Sequence, residues 1–240
     1  MTTMTSVSPQ FYARLAGAIY LAVIVFGGYT EGVVMASLVV GGDTGSTMRN
    51  ILAAPTLWNL TTLGDLIVPV IAVVQLWLEY VLVRPVNKRL AQLFVLFNLV
   101  SLAVEAVSKM FLLLVMPILT STGLTQSFSK PQIEGLAGLA MQAHGVAFNI
   151  TLIFFGWALL ILGYLIVQSR YLPRWLGGLV ALAGASYLAA CVAQLFFPAV
   201  ADVIVPGIFL PILLGEGSLC VWLLIKGVDL ARWDARQAEI

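Results

Sequence analysis

Charged side chains are scarce in this sequence. Asp, Glu, Lys and Arg make up 10% of its 240 residues, whereas soluble domains carry about 25% charged residues. A chain with so few charges cannot cover a water-soluble globule with polar surface, and 61% of its residues are hydrophobic. The scarcity therefore excludes an ordinary soluble domain and predicts an integral membrane protein.

Histidine and cysteine are also nearly absent. The one histidine, His144, forms no H-x-x-x-H or E-x-x-H pair, and both cysteines, Cys191 and Cys220, lie within apolar segments. We therefore expect no metal site and no cofactor, and we interpret the cysteines as buried small hydrophobes rather than a disulfide. The sequence also lacks a G-x-S-x-G turn and a phosphate-binding glycine loop, so it identifies no catalytic residue.

An excess of charge of one sign is missing too, since the net charge is +1. This balance gives no indication of a nucleic-acid partner, and we expect none. A cleavable signal peptide is not apparent, because the first apolar segment is far longer than the about 7–15 apolar residues of a signal peptide. We expect this segment to remain as a membrane helix.

Long apolar segments are what the sequence does contain. A membrane-spanning helix needs roughly 20 apolar residues, and six segments reach that length. The sequence therefore predicts an all-α, polytopic membrane helix bundle that forms a single domain over residues 1–240. The predicted helices cover residues 14–40, 57–83, 90–119, 136–167, 175–197 and 203–228.

The basic residues indicate how this bundle is oriented. Lys and Arg are enriched in the cytoplasmic connections of membrane proteins. Two basic residues, Arg49 and Lys130, fall on one side of the six predicted helices, and Lys109 falls within the membrane. The other side carries nine: Arg14, Arg84, Lys88, Arg89, Arg170, Arg174, Lys226, Arg232 and Arg236. We therefore expect both termini in the cytoplasm and a multi-pass protein of the bacterial inner membrane.

A polar stripe interrupts the third apolar segment. Asn98, Ser101, Glu105 and Ser108 follow a spacing that places them on one face of a helix, and Lys109 lies one turn beyond Glu105. Apolar sequence flanks the stripe on both sides. Because charged groups are costly in lipid, the stripe is expected to face the protein interior.

Other helices bring further polar residues to a similar depth. With a rise of about 1.5 Å per residue, most of the intramembrane acids fall in the outer half of the bilayer. Pro69 and Pro211 are expected to interrupt their helices, which is a feature of binding sites at the middle of the membrane. The predicted outward-facing pocket consists of Glu31, Asp65, Asn98, Glu105, Lys109, His144 and Glu216.

Structural explanations for these charges remain open. Glu105 and Lys109 are four residues apart with the acid first, which is a favourable arrangement for an ion pair within one helix. Glu79 is expected near the inner surface, where it would pair with Arg84 or Lys88. Such pairs would neutralise each other without any ligand.

Several segments together resemble a known family. They are FYARLAGAIYLAVIV, VVGGDTGSTMRNILAAPTLW, YVLVRPVNKRLA, HGVAFNITLIFFGWALLILGYLI, SRYLPRWLGGLVALAGASYL and LLGEGSLCVWLLIKGV. In this order they look like the bacterial membrane proteins grouped as domain of unknown function 4386. The resemblance covers nearly the whole chain and implies a six-helix integral membrane protein, without implying a reaction.

Three functions agree with these patterns. The first, which we favour, is binding of a small molecule or proton in the polar pocket for transport or sensing, with membrane lipid and a lipophilic ligand as partners. The second is a membrane-embedded enzyme that protonates an apolar lipid or isoprenoid. The third is a structural or assembly role. Aromatic residues that would suit the enzyme are Trp58, Trp77, Phe154, Phe155, Trp157 and Trp222.

Overall fold

Six long helices and three short ones make up most of residues 8–238, the part of the chain that this computed structural model describes. The six long helices are long and apolar enough to cross a membrane, and residues 8–238 contain no β-strand. The predicted all-α fold with six spans is therefore confirmed. Of the predicted domain, residues 1–7 and 239–240 lie outside the described residues. In chain order the helices are α1 (Pro9–Leu38), α2 (Thr44–Ala53), α3 (Pro55–Val83), α4 (Lys88–Thr120), α5 (Thr122–Ser127), α6 (Lys130–Ser169), α7 (Arg174–Phe196), α8 (Pro198–Ile225) and α9 (Leu230–Ala238).

Each long helix begins earlier than the sequence predicted. Four of them carry a proline in the first turn, where the missing N–H has no intrahelical partner to lose. The difference is largest in α6, which begins at Lys130 instead of residue 136. Ser129 and Gln132 form a capping box there. At 40 residues, α6 is about 60 Å long, so it extends beyond an apolar layer of about 30 Å.

The expected breaks at Pro69 and Pro211 are wrong. Helices α3 and α8 run through these prolines without interruption. A proline removes one hydrogen bond, and neighbouring helices within a bundle can hold the helix together across that gap. The irregular segment lies instead in α1, where Thr30–Met35 is π-helical. Such segments often accompany functional sites.

The two ends of the bundle differ in construction. Successive long helices run in opposite directions, so the chain termini and the loops after α3 and α6 share one end, which we call the tail end. There the Gln10 amide donates to the Lys226 carbonyl at 2.7 Å, and the Tyr171 hydroxyl donates to the Leu82 carbonyl. Helix α9 packs Trp233 against Tyr171. The opposite end carries α2 and α5, and we call it the α2 end.

Asp43 begins helix α2. Its carboxylate accepts hydrogen bonds from the Ser46 hydroxyl at 2.5 Å and the Ser46 N–H at 2.9 Å. These bonds hold the pKa of Asp43 below its usual value, because they favour the charged carboxylate. This N-cap fixes the start of the short helix that covers the α2 end.

Two apolar cores lie at different depths. The larger core occupies the tail half of the bundle and contains residues such as Leu82, Phe94 and Leu165. Cys191 and Cys220 are free and buried, which confirms that they form no disulfide. The smaller core lies at the α2 end and comprises Val34, Met35, Leu38, Met48, Ile51, Trp58, Leu112, Val115, Ala137 and Ala140.

Helices α6 and α7 approach each other through paired glycines. A Cβ atom on Gly163 would lie 2.6 Å from the Gly177 carbonyl oxygen, and one on Gly177 would lie 2.5 Å from the Gly163 oxygen. Gly156 and Gly184 oppose each other in the same way, at 2.9 and 2.6 Å. Small residues therefore bring the two backbones into contact along this interface.

Candidate functional site

Lys109 holds two carboxylates from other helices at its ammonium group. Its Nζ lies 2.9 Å from Asp65 Oδ2 and 3.5 Å from Glu31 Oε1, so that one cation joins α1, α3 and α4. Lys109 and Asp65 are almost completely buried, whereas the Glu31 side chain is 36% exposed. A buried pair of this kind needs additional hydrogen bonds to offset the loss of hydration.

Those additional hydrogen bonds come from neighbouring polar groups. The Thr30 hydroxyl, in the π-helical segment, donates to Asp65 Oδ1 at 2.9 Å. His144 places Nε2 3.7 Å from Glu31 Oε1 and Nδ1 3.1 Å from the Ser108 carbonyl oxygen. We call Glu31, Asp65, Lys109 and His144 the ion-pair cluster. It links four helices through one ammonium group, two carboxylates and one imidazole.

Glu105 stays outside this cluster. Lys109 bonds to acids on other helices, so the ion pair within α4 that the spacing allowed does not form. Among residues 8–238 the Glu105 carboxylate has no hydrogen-bond or ion-pair partner. It lines a cavity instead.

A cavity of about 410 Å³ lies between the helices next to the ion-pair cluster. Three carboxylates line it, from Glu79 on α3, Glu105 on α4 and Glu216 on α8, and we call it the carboxylate cavity. No Lys, Arg or His is among the described residues that line it. Its other polar lining residues are Tyr20, Gln75, Asn98, Ser101, Thr151 and Tyr187. The volume lies within the range of small-molecule sites, about 300–1,000 Å³.

Two tyrosines hold Glu216. The Tyr20 hydroxyl donates to Glu216 Oε2 at 2.9 Å, and the Tyr187 hydroxyl donates to Oε1 at 2.5 Å. These bonds join α8 to α1 and to α7. Both carboxylate oxygens therefore have a donor, which fixes the orientation of this acid in the cavity wall.

Glu79 lies in the cavity, and the predicted pair with Arg84 or Lys88 is wrong. Its Oε1 accepts a hydrogen bond from the Gln75 amide at 3.1 Å, and no described basic residue lies within ion-pair distance of it. The helix turns Glu79 towards the bundle interior, where it is 5% exposed. The Gln75 Oε1 atom is buried without a hydrogen-bond partner.

The cluster and the cavity lie at successive depths. On α1, α3, α4 and α6 the cluster residue is nearer the α2 end than the cavity residues of the same helix. Phe148 lies between the two sites, because its ring lines the cavity and its centroid is 4.9 Å from Lys109 Nζ. The smaller apolar core lies beyond the cluster at the α2 end.

The structure thus divides the predicted pocket into two sites. Four of its seven residues form the ion-pair cluster, and Asn98, Glu105 and Glu216 line the carboxylate cavity. Sequence reasoning missed Gln75, Glu79 and the two tyrosines. One signal was available, since Glu79 follows Asp65 by two heptads and therefore lies near the same face of α3.

A metal site finds no support in the arrangement of ligand side chains. Among the described residues, no group of three or more His, Cys, Asp and Glu side chains is placed to hold a metal ion. His144 and Glu31 lie beside each other, but they do so as members of the ion-pair cluster.

Comparison with known proteins identifies relatives without an assigned activity. The sequence profile of a family described as a domain of unknown function (DUF4386) matches residues 15–227. An uncharacterized protein of Archaeoglobus fulgidus is 26% identical over 177 residues, which cover 74% of this chain and 88% of the relative. No solved structure matches the chain.

Proposed function

This chain belongs to the DUF4386 family, and we propose that it binds a small molecule or a proton in the carboxylate cavity, in a transport or sensing role. The observation that carries this proposal is a set of three intramembrane carboxylates that face one cavity without a basic residue in its lining. A charged side chain within the bilayer costs about 2.5–3.5 kcal/mol on insertion scales. An acid kept there without an ion-pair partner among the described residues favours a functional role.

Catalysis on an isoprenoid is the weaker candidate. That reaction calls for one acid in an aromatic enclosure, whereas this cavity has three acids. Of the aromatic residues expected to serve such an enzyme, Phe155 lines the cavity. Trp77 and Trp157 are about half exposed on the outside of the bundle, and Trp58 belongs to the apolar core at the α2 end. We therefore propose binding rather than a reaction.

The orientation of the bundle is also a proposal. The tail end carries nine basic residues and the α2 end carries two, which favours a cytoplasmic tail end and a multi-pass protein of the bacterial inner membrane. A C-terminal fusion to green fluorescent protein is then expected to fluoresce, and a C-terminal alkaline phosphatase fusion is expected to be inactive. An active phosphatase fusion would contradict this orientation.

Native mass spectrometry of the purified protein tests whether the cavity is a binding site. We expect the protein to retain a small molecule in mild detergent, and we expect Gly27→Leu to lose it. A Cβ on Gly27 meets no atom within 4 Å, so the leucine can fill cavity space without a backbone clash. Gly178→Leu is the matched control, because Gly178 also has open space but does not line the cavity.

The proposal fails if the wild-type protein retains nothing and if titration of the purified protein shows no proton exchange that depends on Glu79, Glu105 or Glu216. It also fails if Gly27→Leu and Gly178→Leu retain the same molecule equally, because that molecule would then lie elsewhere. Retention by the control alone supports the cavity.

A further inference from the structure

The carboxylate cavity has no basic residue among the described residues that line it. Its acids come from three helices, and the nearest buried cation, Lys109, is already held by Asp65 at 2.9 Å and by Glu31 at 3.5 Å. Its ion-pair contacts go to the cluster, so it forms none with the acids of the cavity. A ligand that brings a positive charge would supply what the cavity lacks.

Two acceptor groups in the cavity wall lack donors. The Glu105 carboxylate has no hydrogen-bond or ion-pair partner among the described residues. Gln75 is 7% exposed, and its Oε1 is buried without a partner. A buried acceptor without a partner, such as Gln75 Oε1, costs about 1–3 kcal/mol, and Gln75 and Glu105 line the same cavity. A ligand with N–H donors would satisfy them.

The other two acids already accept hydrogen bonds, which leaves one carboxylate in the cavity without a donor. Tyr20 and Tyr187 each donate to one oxygen of Glu216. Glu79 accepts the Gln75 amide. Glu105 is therefore the carboxylate that is available to a single cationic group.

Aromatic rings form part of the cavity wall, beside aliphatic side chains. Phe148, Phe155, Tyr187 and Phe209 all line it, and the rings of Phe155 and Tyr187 make an edge-to-face contact at 5.5 Å. Aromatic faces attract ammonium groups, and they also pack against apolar chains. The wall thus suits a cation attached to an apolar body.

On the side of the α2 end the cavity adjoins the ion-pair cluster. The smaller apolar core lies beyond the cluster, of which the Glu31 side chain is 36% exposed. An opening is present at the side of the bundle, between α1 and α8. There the cavity lining includes Gly28, Phe209 and Leu213, and these last two are 64% and 61% exposed on the outer surface.

The packing of α1 against α8 explains this opening. Near the tail end the helices touch, since a Cβ on Gly17 would lie 2.5 Å from the Leu224 nitrogen. Further along α1, a Cβ on Gly27 or Gly28 would meet no atom within 4 Å. This side of the bundle faces the apolar layer, because the surrounding residues are exposed hydrophobics such as Val25 and Phe26.

We infer that the ligand of the carboxylate cavity is an amphiphilic organic monocation, a protonated or quaternary amine with an apolar body, which enters from the bilayer between α1 and α8. The inference rests on the proposed function. The ammonium group would lie against Glu105 and Gln75, and the apolar body would lie against the aromatic wall. This lateral route replaces the outward-facing opening expected from the sequence.

Three eight-carbon compounds test the class of ligand. Octylammonium, octanoate and octanol carry a positive, a negative and a neutral head group, and their saturable binding to the detergent-purified protein can be measured by titration calorimetry. We expect saturable binding of octylammonium alone. We expect Glu105→Gln to weaken it at least about tenfold, because the charge-assisted contact is lost.

Glu134→Gln is the matched control for this change. It removes the same charge from α6 at a position that does not line the cavity, and Glu134 pairs with the exposed Lys130 at 3.9 Å. Octylammonium affinity is expected to remain within about twofold of wild type. An equal loss in Glu105→Gln and Glu134→Gln would overturn the assignment of the ammonium group to the cavity.

The remaining outcomes separate this inference from the proposed function. Saturable binding of octanoate or octanol in preference to octylammonium, or a retained native molecule that is not a cation, would overturn the ligand class and leave the cavity as a binding site. If no probe binds and the native protein retains nothing, both the ligand class and the proposed small-molecule site fail.

The route has its own test. Gly28→Phe would place a ring at the opening, and we expect it to slow octylammonium binding at least about fivefold in stopped-flow measurements on reconstituted vesicles. Gly178→Phe is the control, because it adds the same ring at an open position away from the cavity. Equal rates in the two variants would overturn the lateral route.

Discussion

The ion-pair cluster and the carboxylate cavity contain similar residues, but they accommodate acidic side chains within the apolar layer in different ways. Both gather acids from several helices within the apolar layer. The cluster holds its own cation at 2.9 Å from Asp65. The cavity has about 410 Å³ of space and no basic residue in its described lining. Whether an acid in a membrane helix bundle stabilises the fold or is available to a ligand therefore depends mainly on whether a cation lies beside it.

This difference separates stabilising charges from charges available to a ligand. In the cluster Lys109 is paired with acids on two other helices, so its removal leaves the buried Asp65 carboxylate without its cation. In the cavity the Glu105 carboxylate has no partner, so its removal leaves none. Substitutions should therefore affect stability at the cluster and ligand binding at the cavity.

Lys109→Met is expected to have the largest effect. It removes the cation from Asp65 and Glu31 and leaves the buried Asp65 carboxylate without a counter-charge. The free energy of unfolding should fall by about 3–5 kcal/mol. The measurement is the midpoint of thermal unfolding in detergent, followed by the loss of monodisperse protein on size-exclusion chromatography.

A triple variant provides the control for Lys109→Met. Adding Asp65→Asn and Glu31→Gln makes the cluster neutral, and well-matched neutral groups can replace a buried ion pair with little loss. We expect the triple variant to unfold at a higher temperature than Lys109→Met alone. If Lys109→Met unfolds at the wild-type temperature, the cluster has no stabilising role. The distinction between a stabilising cluster and a ligand-binding cavity would then be wrong.

Gly184→Ala is expected to have an intermediate effect, and it tests whether helix packing builds the cavity wall. A Cβ on Gly184 would lie 2.6 Å from the Gly156 carbonyl oxygen, so α6 and α7 must move apart. These helices carry Phe155 and Tyr187, which form part of the wall. Overpacking of this kind costs about 1–3 kcal/mol, measured as a lower unfolding temperature.

Gly178→Ala on the same helix is the control for this substitution. A Cβ there meets no atom within 4 Å, so we expect an unfolding temperature at or slightly above that of the wild type, because alanine favours helix. Equal behaviour of Gly178→Ala and Gly184→Ala would contradict the close contact between α6 and α7.

The sequence was sufficient for the six spans because apolar length alone determines which segments can cross a bilayer. Depth counting also anticipated that acids of α1 and α3 would approach Lys109. It could not predict which carboxylate would form the closest ion pair with Lys109. The spacing of Glu105 and Lys109 permits a pair, but Asp65 is also buried and gains more from the cation at 2.9 Å.

The rotation of each helix about its own axis could not be predicted from the sequence. Arg84 follows Glu79 closely in sequence, which suggested an interfacial pair. The rotation of α3 instead turns Glu79 inwards, next to Gln75. The tyrosines that hold Glu216 were missed for a similar reason, because Tyr20 and Tyr187 come from helices distant in sequence. Such contacts depend on tertiary packing and leave no local pattern.

Glu105→Gln is expected to have the smallest effect on stability. Together with Asp65→Asn, it compares the cavity directly with the ion-pair cluster. It removes one negative charge from α4 one turn away from Lys109, yet the carboxylate it removes has no described partner. The free energy of unfolding should therefore stay unchanged or rise, whereas Asp65→Asn should lower it, because that change takes a carboxylate from the buried Lys109. Side-by-side thermal unfolding of the two variants checks this. A larger loss of stability in Glu105→Gln than in Asp65→Asn would mean that Glu105 supports the fold, and the division between cluster and cavity would then be wrong.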